Sequence, residues 1–128
     1  ETLTNTYDNT IRYTDYVLNE TIELLKQYND EYEVAMMYVS DHGESLGESG
    51  FYLHGAPYAI APKEQTEIPL IFWSSEDFTK NHQINFSCLQ NKAQASEYSH
   101  DNIFHSLLGL LQIKTEAYND GLNIFTEC

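Results

Sequence analysis

The order helix, strand, loop, strand, helix along 128 residues predicts an α/β layer. Two observations support that order. Leu3–Asn29 and Ser99–Leu111 carry apolar residues at steps of three and four, the helical period. Val34–Val39 and Ile68–Trp73 are short continuous apolar runs, as expected of strands covered on both faces in a mainly parallel sheet. The length allows one compact domain with its own core and is too short for two ordinary ones.

In the first helix, Tyr7, Ile11, Thr14, Leu18, Thr21, Ile22 and Leu25 form one face that can lie on a sheet. Thr4 or Thr6 can cap its start, and Tyr28-Asn29-Asp30-Glu31 is a polar break. Tyr7, Tyr13 and Tyr16 read as packing surface. After the run 34–39 the chain must turn, because Gly43, Gly47 and Gly50 fall within eight residues. Pro57 and Pro62 bracket a connector, Ala56–Glu67, where a regular helix or central strand is hard to fit. Pro69 marks the second strand as an edge strand or one entered at its first residue. Residues 81–98 are polar and weakly patterned, with no element assigned. Ser99 or Asp101 caps the last helix, and Asn119-Asp120-Gly121 turns into a final apolar patch, Leu122–Phe125. Two strands do not make a stable sheet, so further strands lie in the polar stretches or outside this chain.

The formal net charge is −14, with only six Lys and Arg, which excludes a nucleic-acid backbone as partner. No apolar run approaches the ~18–20 residues needed to span a bilayer, and the start has no signal-peptide pattern, so the chain as written is expected to be soluble. Cys88 and Cys128 lie far apart without a CxxC spacing; one disulfide and two free thiols are both compatible with the sequence.

The chemistry concentrates where the first strand ends, in Ser40-Asp41-His42-Gly43-Glu44. Adjacent strand residues point to opposite faces, so Asp41 and His42 reach one ion only if the backbone bends, which Gly43 permits. A carboxylate oxygen and a neutral imidazole nitrogen suit Zn²⁺ and, less specifically, Mn²⁺. Two ligands are too few. His54, twelve residues after His42, can supply a third group or face a second ion or the substrate, and Glu44 and Glu48 can orient the ligands. The same residues also fit a loop in which Asp41 accepts backbone hydrogen bonds and both histidines are ordinary surface groups. His82, His100 and His105 read as loop, cap and helix-face residues, and Lys63 as a solvated lysine able to hold an anion.

The run from Tyr38 through Ser-Asp-His-Gly-Glu-Ser-Leu-Gly-Glu, then Tyr52-Leu-His-Gly, Ala61-Pro-Lys-Glu-Gln and Ile68-Pro-Leu-Ile-Phe-Trp, resembles the C-terminal part of the lipid A phosphoethanolamine transferases. Those enzymes, which include the transferable colistin-resistance type, belong to the alkaline phosphatase and sulfatase superfamily. The resemblance extends over nearly the whole chain, and implies a sulfatase-like layered fold that is incomplete here. It implies that Asp41 and His42 are zinc ligands and that His54 touches the phosphoethanolamine group or a second zinc. It further implies that the threonine nucleophile, a glutamate ligand and the transmembrane anchor lie upstream of Glu1, so that this chain alone is inactive. Phosphatidylethanolamine is the implied donor and lipid A the acceptor, at the periplasmic face of the inner membrane. That oxidising setting favours pairing of Cys88 with Cys128. Two alternatives remain: another superfamily enzyme, such as a sulfatase, phosphodiesterase or phosphoglycerol transferase, or a non-catalytic metal-binding module.

Overall fold

A computed structural model describes residues 2–128, which divide after Ser75 into two compact units. The first opens with helix α1, Thr2–Lys26, followed by strand β1, Ala35–Val39. A small hairpin of β2, Ser45–Leu46, and β3, Tyr52–Leu53, comes next. The four-residue helix α2, Lys63–Thr66, then leads to β4, Leu70–Ser74. The second unit holds helices α3, Glu76–Asn81, α4, Phe86–Ala95, and α5, Asp101–Leu110, and a 3₁₀ turn at Asp120–Leu122.

The sheltered positions of α1 are the ones its periodicity predicts. Tyr7, Thr14, Leu18, Thr21, Ile22 and Leu25 are half-buried, while Ile11 is exposed. Tyr13 and Tyr16 are also exposed, against their reading as packing surface. The α/β class holds, but within this chain the strands pair differently from the expected parallel arrangement. β1 and β4 are antiparallel, with Ala35 opposite Ser74 and Val39 opposite Leu70. Nor are the strands covered on both faces within this chain: β1 is half-buried, and Leu70 and Ile71 of β4 are exposed. An apolar run carries no information on direction, and the connector between the strands has no helix longer than α2 to make a parallel crossover. Large α/β sheets commonly carry such an antiparallel strand.

Three loops of the first unit converge on α2. Gly43 N–H donates to the Gln65 carbonyl at 3.0 Å. The Gln65 side chain donates to Ser45 Oγ at 2.9 Å and accepts from Ala56 N–H at 3.2 Å. Gln65 and Ser45 are both buried, so each of these bonds satisfies a group that water cannot reach. The approach at Gly43 is so close that a Cβ there would lie 2.0 Å from the Glu64 carbonyl oxygen.

In the second unit Phe78, Leu110, Ile124 and Phe125 are buried. Each contributes roughly 1.5–3 kcal/mol by leaving water. Helix α4 occupies part of the stretch that has no sequence assignment. Asn85 caps it, its side chain accepting from Cys88 N–H at 3.0 Å. The C-terminal tail is tied to both helices. Ser106, fully buried on α5, donates to the Asn102 carbonyl and accepts from Ile124 N–H. Lys92 on α4 donates to the Ile124 and Thr126 carbonyls at 3.3 and 2.8 Å. Cys88 and Cys128 form a disulfide across 40 residues, and the Cys128 carbonyl accepts from Asn85 N–H.

Two outcomes follow. Replacing Cys88 and Cys128 together by Ser removes a link closing a 40-residue loop. It should destabilise the chain by roughly 3–4 kcal/mol in a denaturant titration, with the fastest gain in amide exchange at residues 122–128. Gly43→Ala should cost about 1–3 kcal/mol by overpacking. Its imidazole resonances for His42 should move in NMR spectra, because the displaced backbone carries that side chain.

Candidate metal centre

The bend after β1 sets the orientation of His42. Ser40 Oγ donates to the His42 carbonyl at 2.9 Å, and Asp41 Oδ1 accepts from His42 N–H at 3.0 Å. His42 Nδ1 lies 2.9 Å from the Gly43 carbonyl, which can only accept, so Nδ1 carries the proton. Nε2 therefore presents its lone pair. It lies 3.8 Å from Asp41 Oδ2, beyond hydrogen-bond reach.

His54 is presented by a reversal at the end of the small hairpin. Leu53 (φ 64°) and Gly55 (φ 96°) flank it in the left-handed region. Leu53 holds that conformation at a cost of order 1–2 kcal/mol. His54 Nδ1 donates to Glu44 Oε2 at 3.0 Å, which leaves Nε2 as the second free imidazole nitrogen. The two imidazole rings stack with centroids 3.9 Å apart. One donor atom from each of His42, Glu44 and His54 falls within a 4.8 Å group.

The arrangement separates the roles of the residues. His42, Glu44 and His54 come together. Asp41 stands beside His42 alone, with its side chain 89% exposed. Glu44 orients His54, as a carboxylate does for a metal-binding imidazole. Its other oxygen, Oε1, is buried without a hydrogen-bond partner among the described residues. An unpartnered carboxylate oxygen beside two imidazoles with free lone pairs is costly as it stands and is what a divalent cation would satisfy. Two imidazoles and carboxylate oxygens form a donor set suited to zinc. The residues fit the ion that the family resemblance implies.

Glu48 serves the loop instead. Its Oε2 accepts from Leu46 N–H at 2.7 Å. Its own backbone N–H, then that of Leu46, hold its carboxyl below the ordinary value of 4.5. It is ionised at neutral pH, and its hold on the loop is lost only as pH falls through that depressed value.

A cleft of about 270 Å³ opens beside the histidines, with Tyr58, Ala61 and Gln65 on its other walls. Gln65 and Tyr58 are missing from the sequence-based candidates. Ala-Pro-Lys-Glu-Gln drew attention to Lys63, which is exposed and does not line the cleft. Burial of Gln65 depends on distant loops and has no local signature. Of the other histidines, His82 stacks on Phe78 at 4.0 Å, and His105 Nδ1 accepts from Asn119 N–H at 3.0 Å.

Known proteins share this architecture. The chain is 49% identical over 128 residues to phosphoethanolamine transferase EptA of Escherichia coli K12, covering 100% of this chain and 23% of that protein. It is 38% identical over 120 residues to phosphatidylethanolamine transferase Mcr-1 of Escherichia coli, covering 94% of this chain and 20% of that one. The soluble domain of lipooligosaccharide phosphoethanolamine transferase A from Neisseria meningitidis superposes with a TM-score of 0.92 at 47% identity, over 98% of this chain and 38% of that one. The C-terminal periplasmic domain of phosphoethanolamine transferase EptC from Campylobacter jejuni superposes with a TM-score of 0.79 at 47% identity, over 95% and 37%. The chain spans less than a quarter of the curated relatives it matches. The Sulfatase family model matches residues 2–113, so that this chain, with His42 after β1 stacked on His54 after β3, belongs to the Sulfatase family.

Proposed function

We propose that this chain is the C-terminal portion of the catalytic domain of a zinc-dependent phosphoethanolamine transferase. The enzyme would move phosphoethanolamine from phosphatidylethanolamine to lipid A through a phosphothreonine intermediate. This would confer resistance to polymyxin and colistin. The observation that carries the reading is the convergence of His42, Glu44 and His54, with Glu44 Oε1 unsatisfied, in a chain 49% identical to a phosphoethanolamine transferase.

Asp41 and His42 would hold the zinc through Asp41 Oδ2 and His42 Nε2, which lie 3.8 Å apart, and His54, oriented by Glu44, would face the phosphoethanolamine group or a second zinc. Zinc, when bound, supplies Lewis acidity that favours a threonine alkoxide and polarises phosphoryl oxygens. The residues of this chain do the positioning. The Gly43 carbonyl fixes the His42 tautomer, and Glu44 fixes that of His54. His54 lines the cleft with its proton on Nδ1, so its Nε2 can accept a proton from an acceptor phosphate. In the full reaction the threonine oxygen forms a bond to phosphorus as the diacylglycerol oxygen leaves with a proton. A lipid A phosphate oxygen then displaces the threonine. Positioning and charge neutralisation account for most of such a transfer.

The threonine and the remaining glutamate ligand belong to a part of the catalytic domain outside this chain. Among the described residues no helix is long and apolar enough to cross a membrane. The setting would be the periplasmic face of the bacterial inner membrane.

Asp41→Ala and His42→Ala in the full-length protein should each lower zinc affinity at least tenfold, measured by competition with a chelator. Unchanged zinc content in both variants would favour a purely structural loop. This polypeptide alone should bind zinc weakly and show no transfer of phosphoethanolamine to lipid A in a mass-spectrometric assay. Transfer by the isolated chain would contradict the division of the site.

A further inference from the structure

The cleft beside His42 and His54 has two chemically different sides. One presents the imidazoles. The other is made of Gly55, Ala56 and Ala61, with Tyr58 among them. No residue on that second side carries a carboxylate or a cationic side chain, so it offers no ion pair to a charged ligand. The Gln65 amide is engaged on both atoms, its nitrogen with Ser45 and its oxygen with Ala56 N–H. Thr66 directs its hydroxyl proton to the Lys63 carbonyl. The Tyr58 ring is then the broadest electron-rich surface in the cleft.

Two features set Tyr58 apart from a packing residue. Tyr58 is 87% exposed, more than any other large apolar residue among the described residues. Its backbone is nonetheless fixed, because the Pro57 carbonyl accepts from both Ile60 N–H and Ala61 N–H at 2.9 Å. An open aromatic face on a pinned turn, at the wall of a cleft, suits an organic cation.

Resting on the transferase reading, we propose that Tyr58 recognises the ammonium end of the phosphoethanolamine group by a cation–π contact. The phosphoryl end then faces the histidines. Two carbons separate ammonium from phosphate oxygen, a reach that the 270 Å³ cleft accommodates. The strongly acidic chain, net charge −14, adds a field that favours the cationic end. Tyr58 is a specificity-determining residue in this scheme and takes no part in the bond changes at phosphorus.

The test compares phosphoethanolamine with ethyl phosphate, which lacks the ammonium, as ligands of the zinc-supplemented full-length protein by NMR titration. Wild type should prefer phosphoethanolamine by roughly two- to fivefold, the range of an exposed cation–π contact. Tyr58→Phe should keep that preference. Tyr58→Leu should bring it to about one while leaving affinity for ethyl phosphate unchanged. An unchanged preference in Tyr58→Leu would overturn the assignment, as would an equal loss of both ligands, which marks a structural role. Failure of wild type to bind either ligand would instead overturn the transferase reading, and this assignment with it.

Discussion

Gln65 makes three bonds from a buried position, one through its carbonyl to Gly43 and two through its amide to Ser45 and Ala56. Those partners lie on the loop after β1, on the first strand of the small hairpin and on the segment following His54. The hydrogen-bonded segments are thus the ones that carry His42, Glu44 and His54. A buried amide with each polar atom satisfied is rigid, because breaking any one bond strands a group away from water at about 1–3 kcal/mol. The site's geometry depends on that clamp more than on β1 itself, which is only half-buried in this chain.

Around the clamp the backbone accepts local strain to aim its side chains. Leu53 takes a left-handed conformation immediately before His54, and Glu44 keeps an oxygen buried and unpartnered. Strain and unsatisfied polarity at the same few residues are features that folds retain where a ligand compensates them. The second unit shows the opposite arrangement. There Ser106, Lys92 and the Cys88–Cys128 disulfide anchor the tail. Its small apolar core is reinforced by covalent and polar links, as expected where few residues are buried.

Much of this was legible in the sequence where the signal is local. The periodicity of α1 marked its sheltered face except at Ile11, and Ser40-Asp41-His42-Gly43 marked the bend at the end of β1. Strand direction was not legible, because an apolar run carries no directional signal, and the antiparallel pairing of β1 with β4 depends on a connector without a long helix. Nor did the runs report cover on both faces, since β1 is half-buried and β4 begins exposed. Helix α4 was hidden because its sequence is polar and its moment weak, although Asn85 three residues before Cys88 is the capping signal. The Glu44–His54 contact spans ten residues and the Gln65–Ser45 contact twenty, so neither has a local pattern. The Cys88–Cys128 bond agrees with the periplasmic setting of the family resemblance, where spacing left pairing and free thiols equally open.

The central claim is that Asp41 and His42, beside the Glu44–His54 pair, form part of a zinc site. Anomalous diffraction at the zinc edge, from crystals of the full-length protein, tests it most directly. The account predicts a peak about 2.0–2.1 Å from His42 Nε2, on the Asp41 side of the ring. A peak elsewhere, or none with zinc present at saturating concentration, would contradict it.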